Sequence, residues 1–244
     1  MKILKGFILI VFMFCSVTCN SKKTQLGQVE ILFQEDSLKF TESQKIFIRE
    51  LINKSGEEVR NVLPNLPDSI KVVVESVNWD LDRVGGVTGR TEWNSPPTIA
   101  VQLSNSYHGG IVDSLELGIR SVVFHEFHHL ARGWAIYDNK FGYGIPNAMV
   151  NEGLAVVFAE IQTGYICDEN SFTNETDSWV KEILDLPLDA SYNKWVMGEH
   201  PDGRTSIGYR AGNYLIRKAM KKSGKSIIEL SALKPNEIIS LAGY

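Results

Sequence analysis

The segment "FHEFHHLARG", residues 124–133, places three of the five histidines of this 244-residue chain within five positions. His125, Glu126 and His129 fit the pattern H-E-x-x-H. Residues four apart on a helix lie one above the other, so His125 and His129 can aim two imidazole nitrogens at one point. Glu126 is turned about 100° from His125 around the axis. It can overhang a metal without binding it. That arrangement supplies two ligands and a carboxylate beside the metal's water, the requirement of metal-assisted hydrolysis. The bland alternative is a polar helix face that happens to be rich in histidine.

A catalytic zinc takes three protein ligands and keeps one open position. His128 is adjacent to His129, so its ring is rotated away, which assigns it to a place behind the ligands or on the surface. His108 and His200 have no spacing argument behind them. Glu152, in "NEGLAVVFAE", stands near the start of the next helix, after a connection long enough to double back. It is either the third ligand or an acid complementing a helix dipole, and its position alone leaves both open. Glu126 and His129 also form Glu-x-x-His, but a di-iron carboxylate bundle needs a second such pair on another helix, and the chain has none.

Stepping outward, "VEILFQ" from Val29 and the β-branched run "SIKVVVESV" read as strands. "TIAVQLS", 98–104, alternates like a strand with one wet face. Between them, "DRVGGVTGRTEWNSPP" is rich in glycine and turn formers; its "GGVTGR" lacks the Lys-Ser/Thr of a phosphate loop and reads as a hairpin or irregular loop. Thr41 is placed to cap a helix carrying Ile46, Phe47, Leu51, Ile52, Val59, Val62 and Leu63. The His-rich helix opens at Asp113 and closes at Gly133, with an apolar stripe of Leu115, Ile119, Val122, Val123, Phe127 and Leu130. Pro146 opens the next helix, in which Met149, Leu154, Val157, Phe158 and Ile161 can pack, and Gly164 ends it. A weak helix near 175–186, an amphipathic helix ending at Gly224, a short helical segment and a final helix complete the chain. Strands early and helices late predict an α+β fold.

"HEFHH" followed by "NEGLA" resembles the glutamate-type zincins, in which the H-E-x-x-H helix is followed by a helix bearing a glutamate ligand. More closely, the chain is similar to a bacterial family of predicted zinc-dependent proteases with an HE-aromatic-HH box, an E-G-L-A box and a Gly-Tyr-rich C-terminal helix, matched here by "SIGYRAGNYLI". The resemblance covers roughly residues 95–242 by these segments. It implies a zincin-like fold, a small N-terminal sheet with an active-site helix and a mainly helical C-terminal half, and zinc held by His125, His129 and Glu152. It further implies Glu126 as the catalyst of peptide-bond hydrolysis, with a peptide or protein as substrate. Related enzymes supply an oxyanion donor from the C-terminal part; Tyr209 in "GYR" is the first candidate, then His200 and Arg210, and for each the alternative is an ordinary packed or exposed side chain. By the same resemblance, "TIAVQLS" is the edge strand that pairs with an extended peptide. Trp134, Tyr137, Phe141 and Tyr143 either wall the cleft or pack their loop. A non-catalytic zincin-fold lipoprotein, acting as a binding or structural module, is the competing class.

The remaining chain sets the context. An apolar fraction of 43% and a charged fraction of 22% are ordinary for a globular protein, and a chain this long needs no metal to complete its core. Lys2 and Lys5 precede the apolar run Phe7 to Cys15, the layout of a secretory signal. "SVTCNSKK" resembles a lipoprotein processing site with Cys19 as the lipid acceptor, although Ser16 and Thr18 depart from its usual residues. The expected organisation is a signal peptide over 1–18, a tether over 19–28 and a single domain over 29–244. The protein is then exported and membrane-anchored in the bacterial cell envelope. Loss of residues 1–18 leaves 23 basic against 29 acidic side chains, a net charge of −6. That acidic balance argues against a nucleic-acid partner. Cys167 is then alone, in acidic surroundings that raise rather than lower a thiol pKa, and reads as structural.

Overall fold

The computed structural model describes residues 28–35, 39–107, 116–136 and 138–244. Cys19, the expected signal and most of the tether, together with His108, Asp113, Leu115 and Tyr137, lie outside the described residues. Among the described residues, four strands form one sheet in the order β1-β2-β4-β3: β1 Gln28–Gln34, β2 Ser69–Val77, β3 Val87–Glu92 and β4 Thr98–Ser104. β1, β2 and β4 run parallel, and β3 is antiparallel to β4. Helix α1, Glu42–Val62, links β1 to β2. It starts at a capping box in which the Thr41 hydroxyl accepts from the Gln44 N–H and the Gln44 side chain accepts from the Thr41 N–H. Ile48, rather than the 55% exposed Ile46, joins its buried face.

After the sheet come α2, Glu116–Arg132; α3, Ile145–Thr163; α4, Thr176–Leu184; α5, Ile207–Ser223; α6, Ile227–Ser231; and α7, Pro235–Ala242. The fold is α+β, a small sheet on the N-terminal side and a mostly helical C-terminal half. α3 is buried on all sides over most of its length, from Ala148 to Glu160, which makes it the central helix of this half. Phe124 and Phe127 of α2 and Phe158 of α3 are fully buried at the junction between sheet and helices.

Two expectations about the strands change. β4 pairs on both sides, with β2 and with β3, and is almost wholly buried. "TIAVQLS" is therefore neither an edge nor a strand with a wet face: Thr98 is buried, and the partly buried Gln102 donates to Glu75 at 2.7 Å. Among the described residues the outer strands are β1 and β3, and the one beside β4 is β3, "VTGRTE". Of the two readings of "GGVTGR", hairpin or irregular loop, the hairpin is the one found: β3 is antiparallel to β4, and that pairing imposes its extended conformation.

Candidate metal centre

β3 meets α2 closely because Gly89 has no side chain. A Cβ there would lie 2.7 Å from Val122 Cγ1 and 2.8 Å from Glu126 Cγ. Residues directly opposite across a sheet share a face, and the row Val72–Ile99–Thr91 turns Thr91 toward α2. The Thr91 hydroxyl donates to Glu126 Oε2 at 2.7 Å. Glu126 is buried, and this bond orients its carboxylate along the strand edge. Thr91 is invisible to sequence reasoning, since nothing local marks it.

On the next turns of α2, His125 Nε2 and His129 Nε2 lie 3.0 Å apart. Glu152 Oε2, from α3, is 3.1 Å from the first and 3.2 Å from the second. Among the described residues these three side chains form a group able to hold a metal ion. Glu152 is 2% exposed and stands two turns into α3. The dipole reading fails there, because that effect fades beyond the first turn. Burial opposes ionisation of Glu152, but the charge and hydrogen bonds of His129 and His125 overcome it and hold the carboxyl well below the usual carboxylate range. Burial likewise opposes charge on His125, yet its hydrogen bond to Glu152 and the fields of Glu126 and Glu152 raise its pKa above 6.5.

The three ligand atoms fit zinc. Tetrahedral bonds of 2.0–2.1 Å put neighbouring ligand atoms about 3.3 Å apart, and the edges here are 3.0–3.2 Å. Two imidazole nitrogens and a carboxylate oxygen converge here, and all present lone pairs once the imidazoles are neutral with their protons on Nδ1. A cation satisfies all three together.

Tyr192 completes the centre. It precedes a π-helical turn, Asn193–Met197, and its hydroxyl donates to the other Glu152 oxygen, Oε1, at 2.7 Å. This fixes the Glu152 carboxylate so that Oε2 faces the histidines. No local pattern marks Tyr192, since a lone tyrosine in "DASYNKW" carries no signal. Tyr209 stands over the same cleft, its ring centroid 6.1 Å from that of His125. It is brought there by the crossing of α3 and α5, where Gly153 and Gly212 abut so closely that a Cβ on Gly153 would lie 2.3 Å from the Gly212 backbone. Burial and the Glu152 carboxylate push both phenols well above their ordinary pKa, so both keep their protons as donors.

The other candidates lie apart. His128 is fully buried, not at the surface. Ser231 gives its hydroxyl proton to Ile227 O at 2.8 Å, so it accepts from His128 Nε2 at 2.9 Å, and that ring nitrogen is committed to α6. His200 is not an exposed loop residue: it is half-buried against Trp195, ring centroids 4.6 Å apart, with Nδ1 2.9 Å from Asp202. Arg210 Nε donates to Glu169 O at 3.1 Å. Trp134 does wall the centre, 4.7 Å from the His129 ring. Phe141 instead packs over Arg132, and Tyr143 is 73% exposed. Cys167 is half-buried, and burial together with Glu169 and Asp168 raises its pKa.

A cavity of about 200 Å³ opens over the three ligands between Trp134 and β3. A second, of about 380 Å³, continues from it past Glu126 and His125. Together they form a cleft along the free strand edge.

An active-site-like helix pair, a buried His-His-Glu triangle and an adjoining cleft define an α+β protein with a candidate divalent-metal site. Residues 102–240, more than half of the chain, match the model of the family described as "Predicted Zn-dependent protease (DUF2268)", and the chain belongs to that family. No curated protein matches it.

Proposed function

We propose that this protein is a zinc-dependent metallopeptidase of the glutamate-type zincin kind, with His125, His129 and Glu152 as ligands and Glu126 as general base. The HE-aromatic-HH and E-G-L-A boxes are the sequence expression of that centre. The observation that carries the reading is the triangle of two imidazole nitrogens and one carboxylate oxygen with Glu126 beside it. Zinc held there supplies a Lewis acid for the scissile carbonyl and makes water nucleophilic near neutral pH. Glu126, steadied by Thr91, takes the proton of the attacking water and passes it to the leaving amine. Tyr209 donates to the oxyanion that develops on the carbonyl. The unpaired edge of β3 offers main-chain groups to an extended peptide, in the position expected of "TIAVQLS".

The test is Glu126→Gln in the metal-loaded protein. Hydrolysis of a broad peptide mixture, followed by mass spectrometry, falls by roughly 10²–10⁴ in rate, while elemental analysis still finds one zinc per chain. Stoichiometric zinc with no cleavage by the unmodified protein favours the non-catalytic binding module instead. Export and lipid anchoring at Cys19 belong to the same proposal and rest on the N-terminal sequence. Among the described residues no helix is long and apolar enough to cross a membrane. Cys19→Ser then releases the protein from the membrane fraction; unchanged fractionation rejects the anchor.

A further inference from the structure

The larger of the two cavities is unexplained by the metal centre. One face of α2 forms part of its wall. Gly118, Ser121, Val122 and His125 follow one another on that face at helical spacing, and all four line the cavity. Ser121 presents little bulk, while the place of a Gly118 side chain is taken by Val87, whose Cγ2 a Cβ there would meet at 3.3 Å; a hollow of about 380 Å³ leads along the helix to His125 and Glu126. Its wall is mainly apolar: Trp79, Leu81, Val84, Val87, Val122 and Tyr165. Trp79 and Met197 at its rim are 53% and 54% exposed, an apolar lip open to solvent. Of the two carboxylates in the wall, Glu126 belongs to the metal centre and Glu169 is engaged by Arg83 at 2.6 Å and by the Ser206 hydroxyl at 2.6 Å.

We infer that this cavity is a specificity pocket for one large apolar side chain, aromatic or long aliphatic, on the residue that flanks the scissile bond on the Gly118–Ser121 side. The inference rests on the hydrolytic reading of the site and adds its substrate class. Both cavities are bounded by Thr88, Gly89, His125, Glu126, Met197 and Tyr209, so a peptide whose carbonyl lies at the metal centre has its next side chain at the mouth of the hollow. Burial of such a side chain is favourable in proportion to its apolar area. Acidic side chains are disfavoured, because the Glu126 carboxylate lines the passage between the two cavities.

The experiment profiles the zinc-loaded protein on a mixture of short peptides with every residue represented at each position. Cleavage is expected beside Phe, Tyr, Trp, Leu or Met on one fixed side of the bond. In Ser121→Phe the added ring occupies the hollow. The ratio of kcat/KM for a Phe peptide to that for its Ala counterpart then falls by about thirtyfold. Trp79→Ala, at an exposed position that does not threaten folding, lowers the same ratio in the same direction. A flat profile, a preference for acids, or a ratio unchanged in both variants overturns the pocket and leaves hydrolysis standing. If the unmodified protein cleaves nothing, calorimetry with Glu126→Gln decides: tighter binding of the Phe than of the Ala peptide, abolished by adding Ser121→Phe, retains the pocket and rejects hydrolysis. Equal binding of the two peptides rejects the pocket.

Discussion

Two buried polar clusters sit one helical turn apart at the interface of α2 and α3, and they solve opposite problems. In one, Arg132 Nε donates to Asn151 Oδ1 at 2.6 Å, its two terminal nitrogens donate to Ser231 O and Leu233 O, and its guanidinium lies 4.5 Å from the Phe141 ring. Each short contact pairs a donor with an acceptor, so the cluster is complete in itself although, among the described residues, no carboxylate bonds to Arg132. In the other, two imidazole nitrogens and one carboxylate oxygen converge at similar distances: the imidazoles bond to Glu152 when protonated, and three lone pairs face one point when Nε2 of each ring is deprotonated. Buried groups arranged to need something they do not possess mark a binding site; buried groups that satisfy one another mark architecture.

Substitution separates the two most strongly. Glu152→Ala lowers zinc affinity on the order of a thousandfold with little change in unfolding midpoint of the metal-free protein, measured by competition with a chelator and by urea titration. Retention of stoichiometric zinc after dialysis removes Glu152 from the centre. Arg132→Met does the reverse: it strands three carbonyl acceptors and costs about 3–5 kcal/mol of stability, while zinc affinity of the molecules that remain folded stays within about tenfold. If Arg132→Met is as stable as the unmodified protein, the contrast fails.

Tyr192→Phe tests the edge of the comparison, because Tyr192 supports a ligand without being one. Zinc affinity falls roughly 10- to 100-fold, with a helical circular dichroism spectrum unchanged. Acidity gives a smaller and graded effect. Protons compete with metal for His125, and its raised pKa makes that competition begin above pH 6.5. Zinc affinity therefore declines as pH falls through and below that value, by about tenfold per unit. Arg132, pushed down to about 10 by burial, stays charged throughout, so the stability it contributes does not change over the same range.

Much of this was legible beforehand. His125, Glu126 and His129 lie within five positions, and helix periodicity alone brings the two rings together. Helix limits were equally local: Thr41 caps α1, Pro146 opens α3, and Gly133, Gly164 and Gly224 follow α2, α3 and α5 in the left-handed conformation. Long amphipathic segments such as α5 were readable for the same reason. The strand β3 was open to two readings, a hairpin or an irregular loop, because glycine and threonine in "VTGRTE" take their extended form from β4 rather than from propensity. The depth of Glu152 in α3 was understated as well, and that depth is what rules out its dipole role.

The chain's own order of residues determines which side chains can act together along a single helix, since a 3.6-residue period needs no outside partner. Only the folded molecule decided what stands opposite that helix: Thr91 across from Glu126, Tyr192 behind Glu152, the abutting glycines that carry Tyr209 over the cleft, and the hollow beside Gly118 and Ser121. Each of these depends on close approach between segments distant in sequence, where the distance, and not the residue type, makes the contact.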